Sequence, residues 1–237
     1  MPYSREHKAE VRARIVESAR ILFNRQGFAE TSIDCIMESV GLTRGGFYNH
    51  FRNKEELYAE AVSSFLNGRG KTWRDEAGVK PEHAGPENVL AMIDSYLSNR
   101  HLGDVDGQCP MIALPSDVAR ATPEVRNAFT DLLKAMSWLF QHNLPERIEH
   151  KRQTALALSA LCVGGMVLSR TVDDEKLGAE PRALRAVHTT WPDCFLPTSP
   201  SRDVRSIHGN DVIRDDRSDR RSVPARPPHP QLAVPPG

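Results

Sequence analysis

Hydrophobic positions recur at intervals of three and four along most of the chain, and no alternating run of strand length interrupts them. Val11, Ile15, Ala19 and Leu22 mark one face of a first helix that ends near Gly27. Ser32 is placed to cap a second helix, in which Ile33, Ile36, Met37 and Val40 keep the spacing up to Gly41. Thr43 is placed to cap a short third helix carrying Phe47 and Phe51. Asn53 would cap a fourth, where Leu57, Ala61, Val62 and Phe65 share a face. The pattern therefore predicts three short helices followed by a long one across residues 7–67. The glycine-bearing run from Gly68 to Pro86 reads as a loop or a frayed helix end. Further helices are expected near 87–101, 111–120, 123–142 and 145–172, with Pro123 and Pro145 where proline favours a helix start. A weaker one at 174–190 is interrupted by Pro181. The expected fold class is all-α.

The pattern stops at Pro197. The last 41 residues hold eight of the 17 prolines, seven arginines, five aspartates and no aromatic residue. Such a segment buries too little apolar surface to offset its ordering entropy, so a disordered tail is expected over 197–237. The remaining composition, 39% hydrophobic and 26% charged, suits a soluble globular protein. A formal net charge of zero excludes a polycationic coat protein but not DNA binding, which depends on where charge sits. Up to Lys54 there are nine Lys or Arg against six Asp or Glu, a local positive excess. Cys35, Cys109, Cys162 and Cys194 are far apart and lack zinc-site spacing. The opening residues are polar, with no signal-like apolar region, and the apolar stretch from Leu156 to Leu168 is too short to span a bilayer. A cytoplasmic protein with reduced thiols, no cofactor, no metal and no membrane partner is the expectation.

The segment from Thr31 to Phe51 supplies what a helix-turn-helix needs: two short helices with an apolar face, a glycine between them, and polar side chains left over on the second. Phe47 and Phe51, four apart, face inward. Arg44, Gly45, Tyr48, Asn49 and His50 are left to face outward. Two early glycines, Gly45 and Gly46, cost roughly 1 kcal/mol each relative to alanine. Close backbone approach to a DNA groove would repay that cost, although Gly46 also suits a purely structural role.

The run T-R-G-G-F-Y-N-H-F-R-N-K-E-E-L-Y closely resembles the recognition helix and following helix of TetR/AcrR transcriptional regulators. With the upstream R-I-V-E-S-A-R-I-L-F-N-R-Q-G-F-A-E-T-S-I, the resemblance runs over about residues 10–66. It implies an all-helical homodimer, with a DNA-binding domain at 1–54 and a ligand-binding and dimerisation domain at 55–196. It implies binding of double-stranded operator DNA, repression as the family default, and release by a small effector or electrophile. By that resemblance Ser32, Thr43, Tyr48, His50 and Lys54 would hold phosphates, while Arg44, Gly45 and Asn49 would face base edges. The chemistry fits: Arg44 can donate two bonds to guanine O6 and N7, and Asn49 can pair likewise with adenine. Lys54, in the first turn of a helix, adds charge where free N–H groups already attract phosphate. Asp34 departs from relatives with a basic or neutral residue there, which argues against a base contact at that position.

In the second domain, Asp106-Gly107-Gln108-Cys109-Pro110 resembles a stretch in a subset of the family where cysteine precedes a short helix over the ligand pocket. A thiol at a helix N-terminus would be stabilised as thiolate and could sense electrophiles, whereas packing is the plainer role of a free cysteine. His101 beside Arg100 could bind an anionic effector. Trp138, Leu139 and Phe140 could line a cavity or fill the core. The run from Thr154 to Ser169, rich in Ala, Gly and Ser, must be covered on several sides and suits a dimer-forming four-helix bundle. After Ser169 the chain departs from the family, because Pro181 and Trp191-Pro192 interrupt the final helix the family would carry. An alternative reading is a small helical enzyme with Cys109 as nucleophile, for which only His101 could supply a base.

Overall fold

The computed structural model describes residues 4–80 and 83–183, all of whose regular structure is helical. The expected tail at 197–237, Cys194 and the end of the helix expected at 174–190 lie outside the described residues. Helix α1 (Arg5–Glu30) is capped by Ser4, whose Oγ accepts from the His7 N–H at 3.1 Å. The chain bends at Gly27, with φ of 79°, a left-handed geometry that only glycine adopts without strain. A side chain there would also meet the carboxylate of Asp117. Ser32 caps α2 (Ile33–Ser39) by accepting from the Cys35 N–H at 3.0 Å. Thr43 sits at the N-cap of α3 (Arg44–Phe47) but makes no capping bond. Asn53 caps α4 (Lys54–Ser64) through the Glu56 N–H at 2.8 Å.

These four helices share one core, in which Ile15, Ala19, Ile36, Met37, Phe47 and Leu57 are fully buried. Each such side chain contributes about 1.5–3 kcal/mol of burial. Tyr58 of α4 packs its ring 4.8 Å from both Phe23 and Phe28 of α1. The expected lengths are reversed: the first helix, with 26 residues, is the longest and the fourth has 11. The helical face of α1 continues past Leu22 through Phe23 and the polar Arg20 and Asn24, all buried, so hydrophobicity alone underestimates its extent.

Helix α5 (Arg69–Glu76) forms where a loop was expected, because Trp73 anchors it in the interior and outweighs the helix cost of Gly70. Helices α6 (Pro86–Tyr96) and α7 (Asn99–Gly103) replace the single expected element at 87–101, since Ser98 starts a new helix by accepting from the His101 N–H. Helices α8 (Pro110–Ala113) and α9 (Pro115–Ala119) are two single turns where one helix was expected. Pro115 cannot donate to the turn before it. Helix α10 (Pro123–Asn143) starts at its proline as expected. Helix α11 (Lys151–Thr171) starts six residues after Pro145, and α12 (Glu175–Ala183) carries Pro181 inside it.

Helix α4 packs on α1 and, more extensively, on α10, so it joins the N-terminal helices to the rest. Helix α11 packs against α10 and α12. Its buried face is Ala155, Leu158, Ser159, Cys162, Gly165 and Met166, a regular helical stripe. The opposite stripe carries Leu156, Ala160, Val163, Gly164, Val167 and Leu168, apolar and exposed or half-buried. The two adjacent glycines differ accordingly. A Cβ on Gly165 would sit 3.0 Å from the Pro181 carbonyl oxygen, whereas one on Gly164 would meet nothing within 4 Å. At 21 residues α11 is long and apolar enough to cross a membrane by length and composition, correcting the length inferred from the apolar stretch between Leu156 and Leu168. Only 39% of its most apolar window is buried within the described chain, so a large part of its surface is left for another apolar partner.

Candidate nucleic-acid interface and effector cavity

Helix α3 ends at Phe47, four residues before the expected Phe51, yet both rings turn inward with centroids 5.5 Å apart, and Tyr48 and Asn49 of the intervening turn face outward. Arg44, Gly45, Tyr48 and Asn49 are exposed; Tyr48 is 57% exposed, its ring edge-on to Phe47 at 5.2 Å. A Cβ on Gly45 would meet nothing within 4 Å, and one on Gly46 would only touch Met37 and Thr43 at 3.7 and 3.9 Å. Neither glycine is required by packing inside the chain. Gly45→Ala should therefore leave the protein as stable or raise its stability by up to about 1 kcal/mol. If the backbone of α3 lies against a groove, the same change weakens DNA binding. Denaturant midpoints measured beside gel shifts separate the two effects.

The structure revises three assignments. The Arg44 guanidinium is held by Asp34 at 2.6 Å, an exposed pair spanning α2 and α3. Asp34 thus touches Arg44 in the free protein. His50 does not face out with its neighbours. It is half-buried, its Nδ1 is buried without a partner, and burial with Lys8 and Arg12 nearby lowers its pKa, so its ring is neutral. The Lys54 ammonium lies 4.1 Å over the Phe28 ring, and partial burial lowers its pKa. It remains half-exposed at the first turn of α4. Ser32 and Thr43 are exposed at their caps.

Helix α1 grips this unit from behind through charged side chains on backbone carbonyls. Arg14 donates to the Val40 carbonyl at 2.9 Å. Arg12 donates to the His50 carbonyl, pairs with Glu60, and stacks 3.9 Å over Phe51. Farther along the same helix, Arg20 donates to the Asp106 carbonyl at 2.6 Å. Asn24 donates to the carbonyls of Asp106 and Gln108 at 3.2 and 3.0 Å, and Gln108 returns a bond to the Asn24 carbonyl at 3.1 Å. Arg25 pairs with the Asp106 carboxylate at 2.5 Å. Sequence reading missed this strap: a polar pair at i and i+4, Arg20 and Asn24, on a buried helical face is its only trace.

The other side of the same loop forms the wall of a cleft. Trp73 Nε1 donates to the Gly107 carbonyl at 3.3 Å, and Cys109 N–H donates to His101 Nε2 at 3.4 Å. The cleft encloses about 660 Å³, part of it open to solvent, and Phe65, Trp73, Tyr96, Met111, Met136 and Leu139 are among its lining residues. His101 and Cys109 line it as well. Trp138 does not: it is 54% exposed and stacks on His142 at 4.9 Å, one position before Leu139, which does line the cleft. Phe140 is core.

His101 is buried, and desolvation lowers its pKa to about 4 despite the bond from its Nδ1 to the Tyr96 carbonyl at 2.8 Å. It is neutral, which removes the charge an anionic effector would need. Cys109 is wholly buried, and its thiol is pushed up to about 11. The single turn of α8 does not outweigh desolvation, so the expected helix-terminus thiolate is not formed. With the thiol protonated and both nitrogens of His101 engaged, this pair is ill suited to nucleophilic catalysis.

Residues 15–61 match the model for bacterial regulatory proteins of the tetR family. The chain is 34% identical over 94 residues to the uncharacterized HTH-type transcriptional regulator YfiR of Bacillus subtilis, covering 40% of this chain and 42% of that protein. It thus spans less than half the length of that curated relative. In fold it is similar to a TetR-family regulator from Cytophaga hutchinsonii, with TM-score 0.66 and 19% identity over 80% of this chain and 98% of the other. The reduced form of E. coli NemR superposes with TM-score 0.62 and 17% identity, over 74% and 95% of the two chains. Residues 15–61 thus carry the DNA-binding segment of bacterial regulatory proteins of the tetR family, and the helical architecture behind it is similar in fold to that of TetR-family regulators.

Proposed function

We propose that the protein is a homodimeric, ligand-responsive transcriptional regulator of the cytoplasm that binds operator DNA, a repressor released when a small molecule occupies the cleft behind α1. The observation that carries this reading is the outward face of α3. Arg44 and Gly45 of this single helical turn and Tyr48 and Asn49 of the turn after it are exposed together, and neither Gly45 nor Gly46 answers a packing need inside the chain. Arg44 and Asn49 read base edges; Thr43, Tyr48, Ser32 and Lys54 hold phosphates, with Lys54 leaving the Phe28 ring to do so. His50 supports the turn instead, being neutral. Dimer formation follows from the exposed apolar stripe of α11, where Ala160 and Gly164 permit close approach of a second copy. The strap from the cleft wall to α1 supplies a mechanical connection between ligand and DNA.

Selection of bound fragments from a random DNA pool tests the reading. A pseudo-palindromic site is expected, with half-sites one or more DNA turns apart. On that site Arg44→Ala should cost about 1–3 kcal/mol and relax preference at particular base pairs. Lys54→Ala should weaken all sequences alike and lower the salt slope by about one. Failure to enrich any sequence, or an unchanged preference in Arg44→Ala, would sink the assignment.

A further inference from the structure

The chemistry of the cleft is unusually one-sided. Among the described residues that line it, none is Asp or Glu, and the charged one is Arg74. The Arg74 guanidinium donates to the Leu66 carbonyl at 2.8 Å and is partly desolvated. Carboxylates close by are already engaged: Asp75, beside Arg74, pairs with Lys71 at 2.5 Å, Asp104 with Arg69 at 2.5 Å and Glu76 with Arg100 at 2.8 Å. Both guanidinium groups stack over Trp73, at 5.0 and 4.8 Å from the ring centre. A cationic ligand would lose its hydration and gain no counter-ion, which is costly in a low-dielectric site. An anionic ligand would find one guanidinium, partly committed.

The polar atoms of the wall are also mostly in use. His101 spends one ring nitrogen on the Tyr96 carbonyl and the other on the Cys109 N–H. The Tyr96 hydroxyl is different: it is buried, belongs to a residue that lines the cleft, and has no nitrogen or oxygen partner, only the weakly accepting thiol of Cys109. A buried hydroxyl facing only a thiol gains free energy from an incoming oxygen acceptor. Flat aromatic surface from Phe65, Trp73 and Tyr96, with the adaptable side chains of Met92, Met111 and Met136, completes the wall.

Building on the reading of this cleft as the effector site, we propose that it takes an uncharged aromatic molecule bearing one hydrogen-bond acceptor, received by the Tyr96 hydroxyl, and that it discriminates against organic cations. Four probes of matched shape test this on the full chain by calorimetry without DNA: naphthalene, 2-acetylnaphthalene, 2-naphthoate and 2-naphthylmethylammonium. The ketone should bind tightest, the ammonium at least about tenfold more weakly, and the carboxylate between them. Tyr96→Phe should weaken the ketone about three- to tenfold, as expected for one neutral hydrogen bond, and leave naphthalene unchanged. Ala135→Glu, which places a carboxylate in the wall from the half-buried side of α10, should improve ammonium binding and weaken the carboxylate; a thermal melt verifies that the variant folds. The proposal is overturned if the ammonium binds the wild type as well as the ketone, if Tyr96→Phe weakens ketone and naphthalene equally, or if no uncharged probe binds. A ketone that binds in the expected rank yet leaves DNA complexes intact overturns the effector role of the cleft and not its ligand class.

Discussion

Ala160→Glu should convert the dimer to a monomer and abolish tight operator binding. Ala160 is exposed in the protomer, so glutamate there costs the fold little, about 0.5 kcal/mol or less. Across a close α11 contact the same carboxylate would be buried without a partner, costing about 3–5 kcal/mol and raising the dimer dissociation constant some 10²–10⁴-fold. A monomer engages one half-site and forfeits an avidity of roughly 10²–10⁴. Light scattering and operator titration of both proteins check this together. A wild-type monomer in solution would remove the dimer face, while an unaffected dimer in the variant would move it elsewhere.

Asn24→Ala carries the second large effect. Its amide satisfies the Asp106 and Gln108 carbonyls, and its own carbonyl receives the Gln108 side chain, all in buried surroundings. Truncation leaves the Gln108 carbonyl without a donor, whereas Arg20 still donates to that of Asp106. A loss of about 1–3 kcal/mol is expected in denaturant unfolding. Arg25→Ala, removing an exposed ion pair with Asp106, should cost under about 1 kcal/mol. If the strap transmits cleft occupancy, the Asn24 variant should still bind DNA and a naphthyl ketone, but the ketone should no longer loosen the DNA. A variant that is destabilised yet fully responsive would place the connection elsewhere, with α4 the next candidate because it packs on both α1 and α10.

How far the fold could be read in advance follows from which forces are local. The caps at Ser32 and Asn53 and the proline start of α10 are short-range signals, and each element starts where they say. The inward pair Phe47 and Phe51 marks which side of α3 is free, although α3 itself ends at Phe47 and Phe51 follows a turn. What could not be read came from contacts distant in sequence. Helix α5 exists because Trp73 finds a pocket formed by residues beyond position 100, which no local pattern signals. Trp138 and Leu139 are neighbours, yet one helical step of 100° puts only the second on the cleft. At Cys109 two opposing terms meet: the single turn of α8 favours thiolate, while burial pushes the thiol up to about 11, and burial is a long-range property that local spacing does not carry. The Asp34–Arg44 pair spans two helices, so composition near the motif recorded the aspartate without its consequence.

That pair gives the free protein a stand-in for DNA. While Arg44 is held by Asp34, its positive charge is partly offset, and an arbitrary duplex meets a carboxylate beside the guanidinium. In the proposed complex, only a site whose guanine replaces the bond to that carboxylate releases Arg44 without loss. On every other sequence Asp34 stays close to the phosphates and repels them. In the proposed regulator, discrimination would then come as much from rejecting wrong sites as from holding the right one, which matters when competing sites in a genome number roughly 10⁶ or more. Asp34→Asn should therefore tighten binding to random DNA more than to the operator, making a stronger binder and a poorer regulator.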